Sequence, residues 1–226
     1  MDAAGSPSGD FLAGLGPEAA DELRALGTRR TYPAGAALFL EGDAAHEAVV
    51  LLSGEVKLSV GSLEGGEVIL DVLKAGSLVG ELSVIDGRPR SATVSAIRPV
   101  EVLAVPATDF NEFLEAHPRV MRGLLIEVID RLRTRVRHQL EFGTGDAMGR
   151  ICARLAELAD RHGRWDGGDV IVQSPLTQTE LAAWAGLSRE AVVKVLRALR
   201  QLGWVENHGR TIAIHELERV RERATR

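Results

Sequence analysis

Two stretches of this 226-residue chain carry charged side chains at spacings suited to chemistry. The first, VGELSVIDGRPRSATVSA from Val79 to Ala96, sets Gly80-Glu81-Leu82-Ser83 ahead of Arg90-Ser91-Ala92, with Arg90 nine residues after Glu81. Their chemistry is that of an anion clamp. Glycine lets a ligand approach the backbone closely, and a short helical turn after it aims N–H groups outward. An arginine grips a phosphate through two parallel hydrogen bonds, and a serine hydroxyl adds a donor. Glu81 can accept from a ribose hydroxyl. The plainer reading of the same residues is a Glu81–Arg90 salt bridge beside an ordinary loop.

The second stretch, from Leu176 to Ile214, reads as helix, turn, helix and hairpin. Thr177 is a candidate cap for a helix ending near Ala185, Gly186 supplies the turn, and Ser188 caps a second helix from Arg189. At about 100° per residue, Val192, Val195, Leu196 and Leu199 share one face of that second helix, while Arg189, Glu190, Val193, Lys194, Arg197 and Arg200 share the other. A cationic face at a helix N-terminus can enter a major groove, where arginine reaches a guanine edge and glutamate accepts from cytosine N4. The hairpin signal Asn207-His208-Gly209-Arg210 presents His208 and Arg210 at its tip, as a wing touching phosphates would. Candidate DNA contacts are therefore Thr177, Gln178, Thr179, Ser188, Arg189, Glu190, Val193, Lys194, Arg197, His208 and Arg210. For each cation alone the plainer reading is a solvated helix face. Trp184 and Trp204 read as core, because a chain with 4% aromatic residues has few rings to offer as base-stacking platforms.

Positioning the first stretch falls to a run of short strands. ALFL, AVVLL, EVKLSV, EVILDVL, ATVSAI and VEVLAV recur between about Arg29 and Val105, separated by Ala34-Gly35, Glu41-Gly42-Asp43, Ser53-Gly54, Gly65-Gly66 and Ala75-Gly76. Such spacing predicts a sandwich or barrel. Residues 1–10 read as a flexible tail and Pro17–Leu26 as a short helix. From 118 to 142 the apolar spacing turns helical: Leu125, Ile129, Leu132 and Val136 form a heptad seam with Arg131, Arg133, Arg135 and Arg137 off it. That predicts a two-stranded dimerisation helix, or one amphipathic helix packed on its own domain. Gly143-Thr144-Gly145 then breaks the helix as a hinge, and Asp146 caps the next helix, which runs to about His162. The expected fold is α+β: a β-roll over 11–117, the dimer helix over 118–142, the hinge over 143–145 and a winged helix-turn-helix over 146–226.

Composition narrows the function classes. The net charge is -5, but from Arg150 onward Lys plus Arg number 13 against 10 Asp plus Glu, while residues 1–149 carry 14 against 22. This acidic front and basic back permit a DNA-binding second half. The single cysteine, Cys152, allows neither an internal disulfide nor a four-thiolate cluster, and reads as a small buried side chain. No apolar run approaches membrane-span length and the N-terminus lacks a leader pattern, so a cytoplasmic protein with no membrane partner is expected. A cupin-like metal enzyme also uses glycine-punctuated strands, but His46, His117, His138, His162, His208 and His215 are dispersed without a ligand cluster. No catalytic and no metal-binding residue is expected. Haem sensing lacks a strand-borne His and Cys pair, and a kinase-regulatory-like nucleotide sensor would not need the basic helix.

Ser188-Arg189-Glu190 resembles the opening of the recognition helix in the cyclic AMP receptor protein/fumarate-nitrate regulator (Crp/Fnr) family, and the resemblance extends over nearly the whole chain from about Leu12. Gly80-Glu81-Leu82-Ser83 and Arg90-Ser91-Ala92 resemble the phosphate-binding cassette of cyclic-nucleotide-binding domains. The resemblance implies that Glu81 holds a ribose 2'-hydroxyl and that Arg90 and Ser91 hold a cyclic phosphate. It also implies that Arg189, Glu190 and Lys194 read a palindromic half-site, with lysine where the family usually has arginine. The family's adenine-contacting Thr-Ser pair falls on Arg135 and Val136, with Thr134 one residue away, so Thr134 and Arg135 join the candidate ligand residues. The implied protein is a transcriptional regulator, not an enzyme: a homodimer on double-stranded DNA, with RNA polymerase as a candidate partner and a cyclic nucleotide, cAMP or else cGMP, as effector. The departure at Arg135 and Val136 leaves a different effector, or none, open.

Overall fold

The computed structural model describes residues 10–62, 66–144 and 146–225, with backbone alone at 134, 135 and 137–144. The expected tail therefore lies outside the described residues except for Asp10, as do Gly65, Gly145 and the side chains of Thr134, Arg135 and Arg137. The chain divides into two compact units, Met1–Leu132 and Arg133–Arg226.

In the first unit α1 (Phe11–Gly14) and α2 (Pro17–Leu26) precede β1 (Thr28–Tyr32), β2 (Ala37–Phe39), β3 (Glu47–Ser53), β4 (Glu55–Gly61), β5 (Glu67–Lys74) and β6 (Leu78–Val79). Then come α3 (Glu81–Asp86), β7 (Thr93–Ala96), β8 (Val100–Pro106), α4 (Ala107–Ala116) and the long α5 (Pro118–Thr144). The strands form two four-stranded antiparallel sheets, β1-β8-β3-β6 and β2-β7-β4-β5. Alternation along β3 and β8 explains the architecture. Val49, Leu51, Val102 and Ala104 point into a core shared with Val56, Val94 and Ala96 of the second sheet. Ala48, Val50, Leu103 and Val105 point the other way, onto Leu23, Phe110, Phe113 and Leu124 from the helices. Both faces of β3 are thus covered, which is why it reads as an unbroken apolar run rather than an alternating one.

Two elements of this unit lack the pattern that reveals a strand. In β1, TRRTY, four of the five residues are exposed, and β6 is only two residues long. Each lies at an edge of the first sheet.

The sequence ends this helix near 142 and places the break across Gly143-Thr144-Gly145, whereas α5 extends two residues further, through Gly143 to Thr144. One glycine weakens a helix by about 1 kcal/mol relative to alanine, too little to end a ladder that is intact before it. Along α5, Leu124 is buried but Leu125 is 58% and Leu132 60% exposed, and Ile126, Ile129 and Val136 are exposed with them. Among the described residues no helix is long and apolar enough to cross a membrane.

The second unit contains α6 (Ala147–His162), β9 (Gly163–Asp166), β10 (Asp169–Gln173), α7 (Gln178–Ala185), α8 (Arg189–Gln201), β11 (Val205–His208), β12 (Thr211–Ile214) and α9 (Leu217–Ala224). Its sheet has the order β11-β12-β10-β9. Asp146 caps α6 by accepting from the Gly149 amide at 2.8 Å, and its other oxygen accepts from Arg223 of α9. The backbone N–H, the Arg223 guanidinium and its hydrogen bond hold the Asp146 carboxyl below its ordinary value. Ile151, Leu155, Leu158, Trp184, Val192, Leu199, Ile214 and Val220 make the core. The β9–β10 hairpin has no counterpart in the sequence reading. Every residue of β9 is exposed, so it carries no apolar alternation, and the signal that could have found it is Gly167-Gly168 ahead of Val170-Ile171-Val172.

Candidate functional site

Gly80 closes β6 and opens α3 in a left-handed conformation, φ +77°. A Cβ there would lie 2.5 Å from Arg90 Nη1 and 3.2 Å from Phe39 Cζ, so both φ and close approach require glycine. Arg90 is only 4% exposed. Its Nη1 donates to the Gly80 carbonyl at 2.8 Å and its Nη2 to the Glu47 carbonyl at 2.6 Å, while its guanidinium lies 4.1 Å from the Phe39 ring centroid. Nε is buried with no hydrogen-bond partner. Burial lowers the Arg90 pKa, and Glu47, Asp43 and Glu81 oppose that shift.

Glu81, 2% exposed, does not pair with Arg90. Its carboxylate accepts from Arg131 Nη1 of α5 at 2.9 Å, and Arg131 also donates to the Leu78 carbonyl at 3.0 Å and to Glu127. The salt-bridge alternative of the sequence is therefore replaced by two separate arrangements, a cation held on carbonyls and an anion held by α5. Sequence reasoning placed Arg131 merely off the apolar seam; its helical phase toward Glu127 was the available signal.

The remaining cradle residues differ in what they present. Ser91 is exposed and Ala92 buried, while Leu82 is an exposed side chain of α3. Ser83 is buried and donates its hydroxyl to the Pro89 carbonyl, holding the loop that leads into Arg90. Among the described residues no three His, Cys, Asp or Glu side chains are grouped so as to hold a metal ion.

In the second unit the sequence itself sets the two-helix geometry. Thr177 and Glu180 form a reciprocal capping box at the start of α7, and Gly186 ends α7 in the left-handed conformation, φ +61°. Its carbonyl accepts from Arg150 of α6 at 3.1 Å. Ser188 accepts from the Ala191 amide and starts α8. Val192, Val195, Leu196 and Leu199 are buried, and Arg189, Glu190, Val193, Lys194 and Arg197 are exposed on the opposite face. Thr177 and Thr179 are exposed and Gln178 is half-buried. Glu190 stays ionised, its pKa lowered by its own backbone N–H and the Ser188 hydroxyl. Arg200, also on the outer face, donates to Asn207 of β11 at 2.7 Å, tying α8 to the wing. At the wing tip His208 faces Glu206 at 3.0 Å and Arg210 is exposed. Trp184 is buried as read, and Trp204 is half-buried.

Residues 29–117 match the cyclic nucleotide-binding domain family, and residues 149–223 match the Crp-like helix-turn-helix domain family. The chain is 30% identical over 193 residues to the CRP-like cAMP-activated global transcriptional regulator of Mycobacterium tuberculosis, covering 85% of this chain and 86% of that one. It is 33% identical over 221 residues to the cyclic AMP receptor protein of Thermus thermophilus, covering 96% of each. Among solved structures, FixK2 from Bradyrhizobium japonicum shares the fold at a TM-score of 0.77 and 21% identity, over 87% of this chain and 96% of that one.

Proposed function

The chain belongs to the Crp/Fnr family of transcriptional regulators, which bind DNA and are not enzymes, and from that premise we propose that it is a homodimer that recognises a palindromic DNA site under cyclic nucleotide control. The observation that carries this reading is the outer face of α8: Arg189, Glu190, Val193, Lys194 and Arg197 are all exposed beside a helix N-terminus, opposite a wholly buried apolar face. Arg189, Glu190 and Lys194 can read base edges, while Arg197 and Arg210 supply phosphate contacts. Thr177, Gln178 and Thr179 at the start of α7, with Ser188 and His208, complete the contact surface. Exposed Leu125, Ile129, Leu132 and Val136 on α5 fit a two-stranded seam, and a two-fold pair of α8 helices then addresses successive major grooves. RNA polymerase is the partner we expect of the DNA-bound form.

The cradle residues fit a cyclic nucleotide. Arg90 offers a buried unpartnered donor, Gly80 lets the guanidinium lie where a Cβ would intrude, and Glu81 is a buried acceptor. Arg90 and Ser91 would hold the phosphate and Glu81 the ribose hydroxyl, with Gly80, Leu82, Ser83 and Ala92 shaping the turn between them. Thr134 and Arg135, whose side chains lie outside the described residues, are our candidates for the base. Bound there, cAMP or cGMP supplies an anion to Arg90 and a hydroxyl to Glu81. Glu81 also holds Arg131, so a change in its hydrogen bonding acts directly on α5, which continues to Thr144 next to the Asp146 cap. That makes α5 the two-state element of our reading.

The test is selection of bound sequences from a random duplex pool with no nucleotide, with cAMP or with cGMP, at fixed near-physiological salt. Enrichment of one palindrome only with nucleotide is the expected result. The same palindrome without nucleotide leaves a DNA-binding regulator with another effector or none, a reading favoured by Arg135 and Val136 in place of the family's Thr-Ser pair. No enrichment in any arm overturns the DNA-binding proposal.

A further inference from the structure

We infer that Phe39, on β2, is a positioning residue for the anion cradle, holding the Arg90 guanidinium over its ring before any ligand arrives; this rests on the reading of Gly80–Ala92 as an anion site. An arginine side chain has several rotatable bonds and loses considerable rotamer freedom when fixed. Binding an anion through an arginine that must first be ordered is correspondingly weaker.

Here the segment from Phe39 to Asp43 fixes Arg90 from two sides. The Arg90 amide donates to the Asp43 carbonyl at 2.8 Å, and the Gly42 amide donates to the Arg90 carbonyl at 2.9 Å, which locks the backbone. Asp43 in turn accepts from the Leu40 amide at 2.9 Å, stiffening the turn that makes those bonds. The Phe39 ring then lies 4.1 Å from the guanidinium carbon, and β2 is itself registered on β7, with Phe39 opposite Val94.

The consequence lies in which donors remain. The Gly80 and Glu47 carbonyls take one N–H from each η nitrogen, and the guanidinium carbon sits over the Phe39 ring. Of the five N–H groups of an arginine, the Nε–H and one on each η nitrogen are left, and Nε is buried without a partner. Every N–H of a guanidinium lies in its plane, so a guanidinium held over the ring keeps its remaining donors at its edge, where an anion is met. In a chain with so few aromatic residues, an aromatic at position 39 has this specific use: an aliphatic side chain of similar volume fills the same space but offers no π face to a desolvated cation.

The full-length protein, Phe39→Leu and Phe39→Tyr are compared in two measurements. Titration calorimetry with cAMP and with cGMP is expected to show the leucine variant weakened by roughly three- to thirtyfold, with tyrosine within about twofold of phenylalanine, since it keeps the ring face. In the ligand-free proteins, the side-chain Nε–H resonance of Arg90, assigned by its loss in Arg90→Lys, is expected to be shifted by the ring and slow to exchange with phenylalanine or tyrosine, and to lose both properties with leucine. Equal affinities in leucine and phenylalanine proteins overturn the inference, as does a tyrosine variant as weak as leucine. A wild-type protein that binds neither nucleotide removes the proposed effector instead. The positioning role is then decided by the resonance alone, and an Nε–H unchanged by Phe39→Leu sinks it.

Discussion

Arg189 and Lys194 stand five residues apart on the outer face of α8, and they differ in what a base edge can ask of them. Arg189 has a planar fork that matches O6 and N7 of guanine, so Arg189→Ala is expected to lower affinity for the selected palindrome by about 1–3 kcal/mol and to relax preference at one base step. Gel-shift titrations on single-step variants of the site check this. A uniform loss across all variants would assign Arg189 to phosphate instead. Cys152 makes the opposite kind of prediction. Burial pushes its pKa up to about 11 from an ordinary 9.0. The thiol therefore stays protonated through the neutral range, and labelling by a maleimide at pH 8 is expected to be slow in the folded protein and stoichiometric once it is denatured. The linked stability is constant below about pH 9 and falls as pH rises from there toward 11, because the unfolded chain releases this proton first. Rapid labelling of native protein would refute the burial.

At the scale of elements, α5 presents Leu125, Ile129, Leu132 and Val136 to solvent in a heptad pattern while Leu124 packs inward. An aspartate at the most exposed of these sets a charge in the middle of an apolar seam. Leu132→Asp is expected to convert a dimer into the 24.3 kDa monomer by light scattering after size exclusion, with the thermal transition of the first unit little changed. A variant that remains dimeric would place the subunit contact elsewhere. The same helix shows where reading stops short. Its apolar seam, its start at Pro118, the caps at Asp146, Thr177 and Ser188 and the two-faced α8 are local patterns of side-chain type, so they were legible in the residues. What was not legible depends on long-range partners. Arg131 reaches Glu81 across fifty positions of sequence, Arg90 meets the Glu47 carbonyl across forty-three, and Phe39 meets Arg90 only because β2 pairs with β7. The exposed strands β1 and β9 escaped for a different reason: an edge strand without a buried face has no alternation to detect.

Taken as a whole, the molecule is acidic ahead of Arg150 and basic after it. Long-range charge thus favours approach of the second unit to a polyanion and disfavours the first, and the attraction is screened by salt. This division has a spectroscopic counterpart. The chain has three tryptophans, Trp165, Trp184 and Trp204, and every one lies in the unit Arg133–Arg226. Trp165, at 68% exposure on the β9–β10 hairpin, is open to aqueous quenchers, whereas Trp184 is shielded in the core. With excitation near 295 nm, where indole dominates absorption, the first unit is dark. A nucleotide seated against Arg90 and Glu81 has no indole beside it in its own unit to quench. Any change in emission colour or in acrylamide quenching when cAMP is added reports on the surroundings of the indoles in the second unit, and the unmodified protein carries its own reporter of that unit's response.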